Sequence, residues 1–208
     1  MSTLVIDGHP DSQSLTAAIV QRYAAGHGDA KVLALRDLDF DPHLHFGYRK
    51  RTTLEPDLIA AKRALHEADA IVVATPLWWG SVPAVLKGFF DRALLPQQEY
   101  RYTPRGFPEG LLPATQGRLI LLSDTPGLFA PLGGFPVQKQ IVRNTLKFCG
   151  VGSVRTTRML GVKTAGDAKI ARWLDTAEQL GAADRNRAKA KPQDIAAEAA
   201  SSSVVATS

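Results

Sequence analysis

Residues 70–92 read AIVVATPLWWGSVPAVLKGFFDR, and no other stretch of the chain constrains its fold as strongly. The block opens on a short apolar run, mostly β-branched and without polar alternation, which is the pattern of a strand covered on both faces. It breaks at Pro76, passes through Trp78 and Trp79, and restarts at Ser81. From there Val82, Val85, Leu86, Phe89 and Phe90 recur at helical spacing. Pro83 falls in the first turn, where a missing N–H costs little. The loop 77–80 therefore joins a strand's carboxyl end to a helix's amino end, the edge at which open α/β sheets bind ligands. Two adjacent indoles at that edge, rather than in a core, predict a wall for a flat aromatic ligand.

Strand and helix signals alternate through the rest of the chain. Residues 3–7, 31–35, 118–123 and 154–160 read as four further strands, the last an edge because its arginines and threonines need water on one side. Leu15, Ile19 and Tyr23 stripe a first helix, and Leu58, Ala61, Leu65 and Ala68 a second. Ile141, Val142, Leu146 and Cys149 lie on a helix ending at Gly150, and Ile170, Trp173, Leu174, Ala177 and Leu180 on a last helix stopped at Gly181. Five strands alternating with helices predict an α/β, doubly wound parallel sheet in the order 2-1-3-4-5, with helices on both faces. Residues 97–116 carry Pro, Gly and three aromatics and are too long for a plain connection, so a lid or a partner-meeting hairpin is expected there. Beyond Gly181 the composition turns to Ala, Lys, Arg and Ser, with too few large apolar side chains to offset ordering entropy. The expected organisation is one domain over residues 1–181 and a disordered tail over 182–208 whose removal changes little.

Several function classes are disfavoured. No apolar run approaches the roughly 18 residues of a membrane helix, so no membrane insertion is expected. The start, MSTLVIDGHP, lacks a basic region and does not read as a signal peptide. Cys149 is the single cysteine, which points to a cytoplasmic location. The net charge of +5 gathers most densely at Arg49, Lys50 and Arg51 without interleaved aromatics, the mark of a solvated face rather than a nucleic-acid surface.

Three loops carry the chemistry. The first strand-to-helix turn, GHPDSQSLT, puts Ser12, Ser14 and Thr16 where a new helix presents unpaired N–H groups, an anion site by construction. A plain helix cap by Ser12 or Ser14 explains the same serines equally well. His9 stands beside that turn. The tryptophan loop supplies the aromatic wall, and SDTPG, after the fourth strand, a polar rim from Asp124 and Thr125. No Walker lysine or G-x-G-x-x-G is present, which counts against nucleotide hydrolysis and a dinucleotide Rossmann site. His43 and His45, in DFDPHLHFGY with Asp39 and Asp41, lie across a turn at Pro42, and no metal site is expected. An anion cradle, an indole wall and a polar rim on consecutive loops suit a phosphorylated planar cofactor.

GHPDSQSLT, ATPLWWGSVPAVLKGFFDR, the YRY that follows and LKFCGV resemble the flavodoxin-like NAD(P)H:quinone oxidoreductases. That family includes the bacterial modulator-of-drug-activity enzymes and the ancillary subunits of potassium-efflux systems. The resemblance runs from about residue 4 to 181. It implies FMN or FAD as cofactor, NAD(P)H as hydride donor, a quinone-like acceptor, and a homodimer, with the aromatic loop of Tyr100, Tyr102 and Phe107 as the candidate contact. His9, Ser14, Leu15 and Thr16 match the family's phosphate loop. Pro76, Leu77, Trp78, Trp79 and Gly80 match the loop along the flavin ring, and Asp124, Thr125, Pro126 and Gly127 the third flavin loop. That third loop commonly reads Thr-Thr-Gly-Gly, and here Pro126 cannot donate. A tyrosine and a histidine that assist hydride transfer in family members have no counterpart between Thr125 and Gly150, so no catalytic side chain is named. A regulatory subunit of an ion-efflux system and a flavodoxin-type electron carrier are the rival readings.

Overall fold

The computed structural model describes residues 2–125 and 135–202, with side chains as far as Arg187. In chain order the elements are β1 (Thr3–Asp7), α1 (Leu15–His27), β2 (Ala30–Ala34), α2 (Pro56–Glu67), β3 (Ala70–Pro76), α3 (Ala84–Ala93), β4 (Tyr100–Tyr102), β5 (Pro108–Gly110), β6 (Gln116–Ser123), α4 (Pro136–Ile141, continued by a π-helical turn Val142–Lys147), β7 (Ser153–Leu160) and α5 (Asp167–Ser202). Five parallel strands form one sheet in the order β2-β1-β3-β6-β7. With the separate β4–β5 hairpin set aside, this is the expected 2-1-3-4-5, and β7 is an edge. The chain reverses its winding at β1, so the crevice between the carboxyl ends of β1 and β3 is the topological switch point.

The apolar stripes bury as their periods require. On one face Leu58, Leu65, Leu86, Phe89 and Ile141 from α2, α3 and α4 pack against Leu4, Ile6, Ile71, Val73, Leu119 and Leu121. On the other, Ile19, Tyr23 and Ala177 from α1 and α5 cover Val5, Val72, Ile120 and Leu122. The alternate residues of β1, β3 and β6 thus face opposite layers, which is why these strands carry no polar alternation. Pro83 precedes α3 in extended conformation instead of lying in its first turn, so the helix begins at Ala84.

Residues 97–116 contain the β4–β5 hairpin. A buried carboxylate anchors it: Glu99 accepts from Lys62 Nζ at 2.5 Å and from the Leu95 N–H at 2.8 Å, and lies 3.0 Å from His66 Nε2. Tyr100 packs on Phe148 with ring centroids 4.8 Å apart, while Tyr102 and Phe107 stand exposed.

The last helix departs from expectation: α5 continues through Gly181 to Ser202, and residues 203–208 lie outside the described residues. Gly181 is not a cap. A Cβ there would lie 2.1 Å from the Tyr23 carbonyl oxygen, and one at Gly26 would lie 2.0 Å from that of Glu178. The two glycines let α1 and α5 cross almost backbone to backbone. One turn past the crossing, Asp184 accepts two hydrogen bonds from the buried Arg118 guanidinium, at 2.6 and 2.8 Å, and one from the Tyr23 hydroxyl at 2.9 Å. The segment read as a dispensable tail therefore begins with the counter-charge of a residue inside the sheet. Among the described residues no helix is long and apolar enough to cross a membrane.

The same crossing buries His27 with both ring nitrogens unpartnered. Burial pushes its imidazole below the ordinary histidine value near 6.5. The unfolded chain then binds a proton that the folded chain refuses, so stability tied to His27 is whole above about pH 6.5 and falls as pH drops toward the lowered value. Thermal midpoints measured from about pH 8 to about pH 5 should show this fall in the native chain and a shallower one in His27→Leu. Equal slopes would assign the acid sensitivity to other groups.

Candidate functional site

The site is built from the ends of three strands. At the end of β1, Asp7 is buried and held by Arg36 at 2.6 Å, and it also accepts the His9 N–H at 3.1 Å. The Gly8 N–H reaches across to the Ala74 carbonyl of β3 at 2.9 Å, so the turn starts from a fixed point. His9 Nδ1 accepts the Asp11 N–H at 3.0 Å. The neutral ring then carries its proton on Nε2, as a donor. Its edge meets Trp78, with centroids 5.3 Å apart and planes at 78°.

Ser14 is the N-cap of α1. Its extended backbone (φ −71°, ψ 156°) turns the hydroxyl onto the Ala17 N–H, which it accepts at 3.1 Å, and its carbonyl accepts the Ala18 N–H. The next two N–H groups, of Leu15 and Thr16, have no partner among the described residues. They are the orphan donors of a helix start, at its positive end, and they suit an anionic oxygen group. Capping uses only the oxygen of the Ser14 hydroxyl, and its hydrogen has no acceptor among the described residues.

On the second loop, the Leu77 N–H bonds the Leu122 carbonyl at 2.7 Å, and Trp78 and Ser81 exchange two backbone hydrogen bonds of 2.9 Å. Trp79 and Gly80 are the two central residues of this tight turn, both left-handed, with φ of 51° and 74°. That is a type I′ turn, which asks for glycine or asparagine at both positions. Gly80 meets the demand, whereas Trp79 is a bulky residue in a disfavoured conformation, a kind of strain that gathers at functional sites.

A cavity of about 190 Å³ lies between these loops, lined by His9, Ser14, Leu15, Thr16, Pro76, Leu77, Trp78 and Asp124. Leu122, Ser123 and Val162 complete it, three residues that sequence reasoning did not single out. Only Ser123 carried a signal, as the strand end before Asp124. Trp79 and Gly80 are not brought into the cavity: Trp79 is wholly exposed, and nothing lies within 4 Å of a Cβ placed on Gly80. The indole wall is Trp78, partly exposed at the rim. Asp124 accepts the Lys163 N–H at 2.8 Å, which ties its loop to the segment after β7, and Thr125 is held by the Ser123 hydroxyl at 3.0 Å. Pro126 and Gly127 lie outside the described residues.

A larger cavity of about 250 Å³ sits among Tyr48, Arg51, Leu54, Arg92 and Leu95. It shares no residue with the strand-end site, so position in the fold, not volume, marks the site. Burial pushes the Cys149 thiol up to about 12, and it stays protonated and inert.

A sequence profile described as a flavodoxin-like fold matches residues 1–181. A protein of Xanthomonas axonopodis pv. citri named FMN-dependent NADH:quinone oxidoreductase 1 is 34% identical over 156 residues, which are 73% of this chain and 78% of that one. An FMN-dependent NADH:quinone oxidoreductase of Acidovorax ebreus is 32% identical over 206 residues, with 91% and 93% of the two chains covered. Among solved structures, the NAD(P)H:quinone oxidoreductase of Methanothermobacter marburgensis superposes with a TM-score of 0.74 over 88% of this chain and 98% of its own, at 20% identity.

Proposed function

The chain belongs to the flavodoxin-like family, and from that premise we propose that it is an FMN-dependent oxidoreductase that moves a hydride from NAD(P)H to a quinone or similar aromatic acceptor. The observation that carries the reading is one cavity at the topological switch point lined by a serine hydroxyl, an indole and a helix start with two N–H groups unpartnered among the described residues. FMN and NADH are taken from the names of the relatives, and a helix start with two N–H groups and a hydroxyl suits the FMN phosphate.

FMN, when bound, supplies the two-electron redox chemistry. The protein's part is position and surroundings. The Leu15 and Thr16 N–H groups and the Ser14 hydroxyl would hold the phosphate. Pro76, Leu77 and Val162 would exclude water from the bound ring, and Trp78 would offer it an aromatic contact. His9 Nε2–H offers a donor beside Trp78. With no tyrosine or histidine between Thr125 and Gly150, hydride transfer rests on alignment rather than on a side-chain acid. Donor and acceptor alternate in one open place beside Trp78. The exposed aromatics Trp79, Tyr102 and Phe107 are the surface on which we place a homodimer contact, in a cytoplasmic protein.

The test is titration of the apoprotein with FMN by fluorescence, followed by steady-state kinetics with NADH and a benzoquinone. Saturable binding with parallel double-reciprocal lines is the expected result. Trp78→Ala should weaken FMN retention roughly tenfold through lost aromatic contact, while Trp79→Ala leaves retention unchanged. FMN binding without turnover would favour the regulatory subunit or the electron carrier. Absence of flavin binding would end the reading.

A further inference from the structure

Between the three-residue turn after β2 and the start of α2, residues 38–55 form no regular element, yet their backbone is firmly held. Arg92, buried on α3, donates to the Asp41 carbonyl, to the Thr53 carbonyl at 3.2 Å and to the Glu55 carboxylate at 2.7 Å. Glu55 in turn accepts the Asp41 N–H at 3.1 Å. Asp41 is thus fixed through both its N–H and its carbonyl. Pro42 packs so closely on α3 that a Cβ on Gly88 would lie 2.4 Å from it.

On this anchored segment three ligand-type side chains converge in solvent. Asp41 Oδ1 is 2.7 Å from His43 Nδ1, and Asp41 Oδ2 is 2.6 Å from His45 Nε2. One donor atom from each residue lies within 4.8 Å of the others. None of the three lines the strand-end cavity.

We propose that Asp41, His43 and His45 form a surface site for a borderline divalent cation of the zinc type. Two imidazole nitrogens and one carboxylate oxygen are the donor set such ions prefer, whereas magnesium and calcium prefer oxygen alone. An imidazole that donates to the Asp41 carboxylate does so with the proton on its inward nitrogen. Moving that proton to the outward nitrogen of the same ring turns the inward lone pair toward the ion without net proton loss. Ligands around tetrahedral zinc sit about 3.3 Å apart, given bonds of about 2.0–2.1 Å. The present contacts therefore open by about 0.7 Å, a small rotation for two exposed rings. Water fills the fourth position, and the bound ion staples the irregular segment 38–55 at its start. The sequence spacing hid the site because Pro42 marks a turn, and it is this turn that folds His43 and His45 back over Asp41.

The test uses full-length protein made without a histidine tag and stripped with a chelator. Zinc is titrated by calorimetry, and cobalt by the absorption bands of its tetrahedral complex. One ion per chain is expected, with a zinc-dependent rise in thermal midpoint. His43→Ala and His45→Ala should each weaken zinc binding at least tenfold and abolish that rise, with FMN retention unchanged. Binding of equal strength in the double variant would place the ion elsewhere and overturn the assignment, as would no binding by the native chain.

Discussion

Removal of residues 184–208 will lower stability by about 3–5 kcal/mol, the loss expected when one partner of a buried ion pair is taken away. The deletion takes Asp184, and Arg118 is then left on a buried strand with Thr157 as its remaining side-chain partner. The cause is an uncompensated charge rather than lost helix, and a second change separates the two. Arg118→Met in the shortened chain removes the stranded guanidinium and should restore much of the loss, since an apolar pair of similar volume is often neutral. Denaturant midpoints for the four chains, intact and shortened with and without the methionine, give the answer as a double-mutant cycle. No recovery would show that the shortened chain fails for lack of helix packing. Acid should reproduce part of the effect. The Asp184 carboxyl is held below its ordinary value despite burial, chiefly by Arg118, so its contribution is present above the unfolded carboxylate range and is lost as pH falls through the lowered folded value.

Ser14→Asp will separate the two duties of Ser14. Aspartate caps a helix as well as serine does, so the fold and thermal midpoint should hold. The same carboxylate would stand where the FMN phosphate is proposed to sit, and like charges so close cost several kcal/mol, on the order of a hundredfold in affinity. Riboflavin, which has no phosphate, serves as the control: its affinity should move little. Equal loss of both flavins would place the damage in the ring site, and undiminished FMN binding would reduce Ser14 to a cap.

The sheet, its strand order and the stripes of the helices were legible because burial on both faces and helical periodicity leave direct marks on sequence. Thr3–Asp7 and the stripe Ile19, Tyr23 sit where the pattern places them. Gly181 was misread for a physical reason. A glycine after a periodic stripe is an ordinary stop signal, but a glycine is also needed where two backbones touch, and the sequence does not say which. The tryptophan doublet was half legible: a two-residue turn sends neighbouring side chains to different places, so Trp78 meets the cavity and Trp79 meets water. The carboxylates of Glu99, buried, and Asp184, half-buried, left no local sign at all. Their partners Lys62 and Arg118 come from distant segments, and only the fold brings them together.

The near-contact of Gly26 and Gly181 has a mechanical consequence. α1 spans 13 residues, about 20 Å, with the Leu15 and Thr16 N–H groups, unpartnered among the described residues, at one end and the crossing with α5 at the other. Seated on the sheet through Ile19 and Tyr23, α1 moves as a rigid rod clamped most tightly at this end. Any bulk introduced at the clamp must swing the opposite tip, because the packed interior transmits displacement instead of absorbing it. The usual redesign that exchanges helical glycine for alanine to gain propensity would here displace the helix start proposed to hold the cofactor phosphate. The position of that helix start is thus governed as much by two residues without side chains as by the loop before it.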